Sequence, residues 1–328
     1  MVVFFVLLLT VCTAWCNDSS FEASGSTLLP LRDSSIRMVR EDLRVTIRGR
    51  EARIDVDYVF VNDGPAKTIT VGFVTPPAYG DIAERLQSKP QIRGFVVVFN
   101  GTRQSWEIRK VTDSERAQNL HLYSGDWVYL FEATFPNGRS HVKHSYRFNA
   151  GSSVDAPIRV PYRLTTGTHW KSGVIDTFRL TVDVGKGRLV AVPSTFTGDT
   201  SHQLPWISTG MASIADSVGY NFFYDDEPPQ PNTAWAVSDG VLVLEQLSFG
   251  PTQDLMVTIH NGMSLCERAQ SSPDKQWIFG LSCIELAEMK KWIESMLHYA
   301  AGSHDEEYDE DRALLELVRN ALKASHCR

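Results

Sequence analysis

Asp55-Val56-Asp57 has the spacing with which some sugar-nucleotide transferases hold a divalent metal, and Gly64-Pro65-Ala66-Lys67-Thr68 has the outline of a phosphate-binding loop. Both fail on their surroundings. Residues two apart in an extended chain point to the same side. Asp55 and Asp57 therefore share a face opposite Ile54, Val56 and Tyr58, which is how the wet side of a strand reads. A phosphate loop needs a second glycine before its lysine and a helix after it, because consecutive backbone N–H groups must converge on the phosphate. Here Ala66 holds the glycine's place, Pro65 removes a donor, and a strand pattern follows.

The remaining chemical candidates are weaker. His141 and His144 stand three apart in a strand pattern, on opposite faces, so they do not share a metal. No His-Glu-x-x-His or Gly-x-Ser-x-Gly sequence is present, and Cys266 lacks a partner signature for nucleophilic catalysis. With 39 acidic residues in the chain, a glycosidase-type pair of carboxylates carries no information. The acidic run 305–311 lacks the alternating ligands and glycine of a calcium loop. It reads as a solvated loop whose charge favours the start of the helix after it. Trp170 in TTGTHWKSG and Trp206 in HQLPWIST are the candidates to stack on a ligand, against the alternative that they plug the end of a sandwich. Asn17-Asp18-Ser19 and Asn100-Gly101-Thr102 are sequons that matter only in a eukaryotic secretory pathway. The reading leans away from an enzyme, with no catalytic residue, cofactor or metal ligand assigned.

The elements that must position these groups follow from composition and period. A chain of 328 residues with 43% hydrophobic content can bury the cores of two ordinary domains. Its net charge of -7 and scattered Lys and Arg exclude a nucleic-acid partner. Residues 1–16, MVVFFVLLLTVCTAWC, are apolar but shorter than the roughly 20 residues that span a bilayer. They are predicted to be a signal peptide, with Ala14 and Cys16 satisfying the small-residue rule for cleavage after Cys16. Its n-region carries no Lys or Arg, so its positive end is the α-amino group or the start lies upstream. The mature chain then has no transmembrane segment and is secreted or periplasmic.

Residues 17–35 are expected to be a flexible N-terminal segment. From Ile36 to about Gly262 the hydrophobic period is two, the mark of half-buried strands. Leu43, Val45 and Ile47 form one such run; Ile54 to Phe60 a second; Ile69, Val71 and Phe73 a third. Val96 to Phe99 close on Asn100-Gly101, a strong hairpin signal. DWVYLFEATF and HVKHSYRFN flank Pro136-Asn137-Gly138 and are expected to pair as another hairpin. Residues 80–90 and 112–125 have short helical compositions. Strands recurring at intervals of about ten residues predict a mainly β fold of two antiparallel β-sandwich domains, 36–150 and 157–265.

From Leu281 the period becomes helical. Ser282 with Glu285 forms a capping box, and Leu286, Met289, Ile293 and Met296 form an apolar stripe. A second stripe runs through Leu314, Leu317, Val318 and Ala321. Residues 281–328 are thus expected to be a C-terminal helical hairpin, which returns Cys327 to the neighbourhood of Cys283. That geometry favours a Cys283–Cys327 disulfide over Cys266–Cys283. The odd third cysteine is left as a thiol.

The stretch REDLRVTIRGREARIDVDYVFVNDGPAKTITVGFVTP, a later strand ending in FNGT, and VYLFEATFPNGRSHVKHSYRF together resemble a family of exported bacterial proteins classified only as a domain of unknown function. The residues that carry the resemblance are Glu41-Asp42, Phe60 with Asn62, Phe73 with Pro76, and Tyr162 through Trp170, over about residues 36–262. The chain is more distantly similar to the vault and inter-α-trypsin inhibitor type of sandwich. The resemblance implies export and an all-β body, and no activity. The expectation is an exported, non-enzymatic protein that binds a protein or glycan partner, or serves a structural role, at the envelope or outside. The alternative is a carbohydrate-active protein, a glycan binder or hydrolase, using Trp170, Trp206 and acidic residues at the sandwich ends.

Overall fold

The computed structural model describes residues 25–26, 29–30, 35–75, 90, 92–113, 126–150, 158–201, 203–216, 231–300 and 306–327. The predicted signal peptide, nearly all of the N-terminal segment and almost all of the helical compositions at 80–90 and 112–125 lie outside these residues. The first half forms β1 (Gly25–Ser26) and β2 (Leu29–Pro30), both inside the segment expected to be flexible, then β3 (Arg37–Arg48), β4 (Glu51–Asn62), β5 (Lys67–Thr75), β6 (Arg93–Phe99), β7 (Thr102–Arg103), β8 (Glu107–Lys110), β9 (Trp127–Phe135) and β10 (Gly138–Asn149). The second half gives β11 (Ile158–Arg163), β12 (Ile175–Asp183), β13 (Arg188–Pro193), β14 (Ile207–Asp216), β15 (Asn232–Phe249) and β16 (Leu255–Ile259). Helices α1 (Gly262–Ser271), α2 (Cys283–Tyr299) and α3 (Glu306–Ala324), with 3-10 turns at Thr165–His169 and Gln276–Gly280, complete the described elements.

The fold is mainly β, but its strands do not divide into two sandwiches with sheets of their own. They form one twelve-stranded sheet and one four-stranded sheet. The large sheet runs β1-β11-β16-β13-β15-β12-β3-β4-β10-β6-β7, with β14 paired to β15, and the small one runs β2-β5-β9-β8. The two predicted halves join where β12 pairs in parallel with β3, Leu180 beside Leu43 and Val182 beside Val45. A single apolar cluster runs through both, including Leu43, Val56, Phe135, Phe178 and Val257.

Contacts across that core show how the layers face each other. Tyr58 of β4 and Tyr162 of β11 are far apart in the sheet order, yet their hydroxyls lie 3.1 Å apart, so the large sheet folds over on itself. The small sheet covers the rest of the same face, with Phe73 of β5 on Phe95 of β6 at 4.9 Å and Phe135 of β9 on Phe60 of β4 at 5.6 Å. The fold-over needs a bend in β15. One edge of β15 pairs first with β13 and then with β12, and Gly240 lies between the two stretches. Gly240 has φ +153 and packs on Gly210 (φ +95) of β14, and a Cβ at Gly240 would lie 2.2 Å from the Thr209 carbonyl oxygen. Only glycine allows that approach.

The expected β9–β10 hairpin does not form. β10 pairs with β4 and β6 in the large sheet, whereas β9 pairs with β5 and β8 in the small one. Pro136-Asn137 is therefore a corner between sheets, as is the turn from β4 to β5. Side-chain amides clasp the two corners. Asn62 Nδ2 donates to the Pro65 and Phe135 carbonyls at 2.8 and 3.1 Å, and Asn137 Nδ2 donates to the Gly64 carbonyl at 3.0 Å. The Asn100-Gly101 hairpin forms as its sequence dictates, with both residues at positive φ between β6 and β7.

The helical region holds three described helices, one more than expected. Leu265, Cys266 and Ala269 of α1 belong to one apolar cluster with Met289 and Ile293 of α2, Leu314 and Val318 of α3, and Leu189 and Ala234 of the large sheet. Ser282 caps α2 with the reciprocal Glu285 contact. The acidic run is not a loop where it is described: Glu306 to Asp311 form the start of α3, where their charge suits the helix dipole. Cys283 and Cys327 are disulfide-bonded with Cα atoms 5.4 Å apart, and Cys266 is a buried free thiol.

Candidate functional site

β4 carries the Asp-x-Asp pair. Ala52, Ile54, Val56, Tyr58 and Phe60 are buried, and Asp55 and Asp57 lie half-buried on the other face. Both carboxylates are neutralised. Asp57 meets Lys143 at 2.8 Å and Arg40 at 3.3 Å, and Asp55 meets Arg53 at 2.7 Å. They line an open hollow of about 360 Å³ with Asp42, Arg44, Val96 and Val98. Among the described residues no three His, Cys, Asp or Glu side chains are grouped to hold a metal. His141 is exposed and His144 buried, on opposite faces of β10 as the alternation requires.

Trp170 and Trp206 are both core residues. Trp170 is 2% exposed, its ring 4.3 Å from that of Phe60. Trp206 is 8% exposed and donates its Nε1–H to the Pro193 carbonyl at 2.7 Å. Neither ring face is open to a ligand, because each turn that carries a tryptophan is folded against the sheet layers.

The polar groups inside the same core are structural. The Tyr162 hydroxyl donates to Glu41 Oε1 at 3.2 Å, and burial holds the Tyr162 and Tyr146 hydroxyls well above their usual range. His144 packs among Phe73, Tyr58 and Tyr146, and burial pushes it down to about 3, so it is neutral at physiological pH. Glu41, Phe60, Asn62, Phe73, Tyr162 and Trp170, which carry the family resemblance, all lie in this core or its clasp.

An open cleft beside an aromatic side chain lies elsewhere, at β8, which is an edge strand of the small sheet among the described residues. β8 pairs with β9 from Glu107 to Lys110, opposite Leu130 to Trp127. N-terminal to Glu107 the chain crosses from β7 in the large sheet, which opens a cleft of about 490 Å³ beside Trp106. That volume is in the range of small-molecule sites. Trp106 is 40% exposed and is held by T-shaped contacts with Tyr129 at 4.8 Å and Phe95 at 5.9 Å. Gln104 anchors the crossing, its N–H donating to the Val97 carbonyl at 2.9 Å and its Nε2 to the Thr102 carbonyl at 2.9 Å. Thr70 and Glu132 form a directly opposed cross-strand pair on the cleft wall. The sequence signal for this site, a lone tryptophan in the polar stretch TRQSWEIRK, is faint because nothing local says that the strand pairing stops there.

The fold and the cleft thus define a class: a mainly β protein of one folded-over sheet and one small sheet, with a disulfide-closed helical cap and an open cleft beside an exposed tryptophan at a sheet edge. Residues 16–119 match a family described as a domain of unknown function, DUF4424. The chain is similar in fold to a crystal structure from Legionella pneumophila subsp. pneumophila str. Philadelphia 1, of a protein provisionally assigned as nutrient binding. The two share 18% identity over 93% of this chain and 100% of that one, with a TM-score of 0.56. A zinc metallopeptidase of the M1 type from Deinococcus radiodurans matches at 14% identity over 70% of this chain and 43% of its own, with a TM-score of 0.27. No curated protein matches. Among the described residues no helix is long and apolar enough to cross a membrane.

Proposed function

We propose that this is an exported, non-enzymatic binding protein of the cell envelope or its surroundings, and that the cleft beside Trp106 takes a small molecule. The observation that carries the reading is a tryptophan left 40% exposed on the wall of a cleft of about 490 Å³, in a protein that buries Trp170 and Trp206. The likeness in fold to a protein assigned as nutrient binding supports a binding role. Export is supported by the apolar residues 1–16 and by a disulfide that needs an oxidising compartment. The carbohydrate-active alternative keeps its acidic residues, but the rings of Trp170 and Trp206 on which it also rested are buried in the core.

The reading is tested by thermal-shift screening of the chain from Asn17 onward against amino acids, amines and saccharides, followed by titration of any hit. A ligand that raises the melting temperature of the wild type and loses affinity on Trp106→Ala is the expected result. Catalytic turnover abolished by a single carboxylate change, or a hit indifferent to position 106, overturns it.

A further inference from the structure

We infer that the cleft beside Trp106 takes a short extended peptide, held through its main chain as an added strand on the uncovered edge of β9. The inference rests on the proposal that this cleft is the ligand site, and it names the chemical class of the ligand.

The argument is one of unpaired backbone. One side of β9 pairs along its whole length with β5, from Phe135 opposite Lys67 to Trp127 opposite Thr75. On the other side β8 reaches only as far as Leu130, opposite Glu107. N-terminal to Glu107 the chain leaves for the large sheet, where the Gln104 N–H donates to the Val97 carbonyl at 2.9 Å. Among the described residues, no strand pairs with this second side of residues 131–134, and no other backbone hydrogen bond reaches it. Just beyond them, the Phe135 carbonyl is taken by Asn62 Nδ2 at 3.1 Å. In an antiparallel sheet alternate residues turn both N–H and C=O to the same edge, so this stretch offers half a ladder without a partner strand.

The cleft lies in this gap. Its lining sets Gln104, Ser105 and Trp106 of the departing chain against Leu130, Phe131 and Glu132 of β9. The two sides of the sheet meet there. Trp106 packs on Tyr129 and Phe95 on the core side, and Thr70, Glu107 and Glu132 stand with Leu130 on the opposite side. An added strand sends alternate side chains to those same two sides, one set toward the indole and the other toward Thr70 and Glu132. Its main-chain bonds supply the affinity and the two sides supply the selection. A saccharide or a single amino acid lacks the repeating N–H and C=O groups that the edge requires. The folded sheet edge of a second copy is too broad for a gap of about 490 Å³.

The test titrates the mature chain with tetraalanine and tetravaline, acetylated and amidated so that neither end is charged, and reads binding by calorimetry and tryptophan fluorescence. The same peptides N-methylated at the first and third residues, or at the second and fourth, report how they are held. Binding of an unmodified peptide is expected, with a loss of roughly tenfold or more for one methylation pattern and little change for the other, because only alternate amides face the edge. Hydrogen exchange should slow at backbone amides within residues 131–134 when the peptide is bound. Ser105→Trp, which fills the gap from the side of the departing chain, should remove peptide binding. Equal effects of the two methylation patterns overturn strand addition. Failure of every peptide, beside a non-peptide ligand that still depends on Trp106, overturns the peptide and leaves the cleft as the site. Failure of every peptide, with no ligand of any kind that responds to Trp106→Ala, overturns both.

Discussion

Asp126 and Arg163 meet through two hydrogen bonds, of 2.8 and 3.2 Å, with the Asp126 side chain fully buried where β9 begins and β11 ends. The pair ties the small sheet to the folded-over arm of the large one. Removing one partner strands a charge in the interior, so Asp126→Asn should cost roughly 3 to 5 kcal/mol. Replacing both residues with apolar side chains of similar volume should recover most of the loss. Chemical denaturation of the two variants checks this, and equal losses would show that the charge is not the cause.

The two faces of β4 predict opposite sensitivities. Val56 is buried in the main core and Asp57 lies in a half-exposed ion-pair network. Val56→Asp should cost about 3 kcal/mol or more, because it buries an unpaired carboxylate. Asp57→Asn should cost under about 1 kcal/mol. Denaturant midpoints measured side by side decide the point.

The Cys283–Cys327 bridge closes a sequence separation of 44 residues around α2 and α3. Cys327→Ser should destabilise the helical cap by roughly 3 to 4 kcal/mol in the chain-entropy view and expose the end of α3 to proteases first. The Cys266 thiol is pushed up to about 12, chiefly by burial and then by Asp311 and Glu267. It should resist alkylation in the native protein and react once the chain is unfolded, which mass spectrometry without reductant would show.

Two buried histidines make the fold acid-sensitive. Burial lowers His144 to about 3; burial, with Arg268 adding to it, lowers His260 to about 4. Above the unfolded value of about 6.5 both are neutral in either state and cost nothing. Below it the unfolded chain takes up protons that the folded chain refuses, so stability falls by up to about 1.4 kcal/mol per pH unit per histidine between about pH 6.5 and 4. The buried carboxyl of Glu285, raised mainly by desolvation, works in the opposite sense. His144→Leu should flatten the decline of the unfolding midpoint over that range; an unchanged slope would mean that the decline comes from other groups.

The sequence by itself determined what is local. Alternation placed Ile54, Val56, Tyr58 and Phe60 inside and Asp55 and Asp57 outside, because side-chain direction in a strand depends only on parity. Ser282 and Glu285 announced the start of α2 through a contact within four residues, and two apolar stripes were enough to bring Cys283 and Cys327 together. α1 escaped because its ten residues carry only a short apolar stripe, which is completed by Leu189 and Ala234 from the sheet.

Tertiary structure alone decided the rest. β9 and β10 alternate in the same way whether they pair with each other or pass into different sheets, and the choice falls to amides reaching from Asn62 and Asn137 to corners far along the chain. The tryptophans show the same limit. A turn signal marks where the backbone bends, and exposure depends on what packs against the bend, so Trp170 and Trp206 went into the core. Trp106 stayed at the open edge because the strand beside it leaves its partner, and strand pairing is a long-range property that no window of sequence contains.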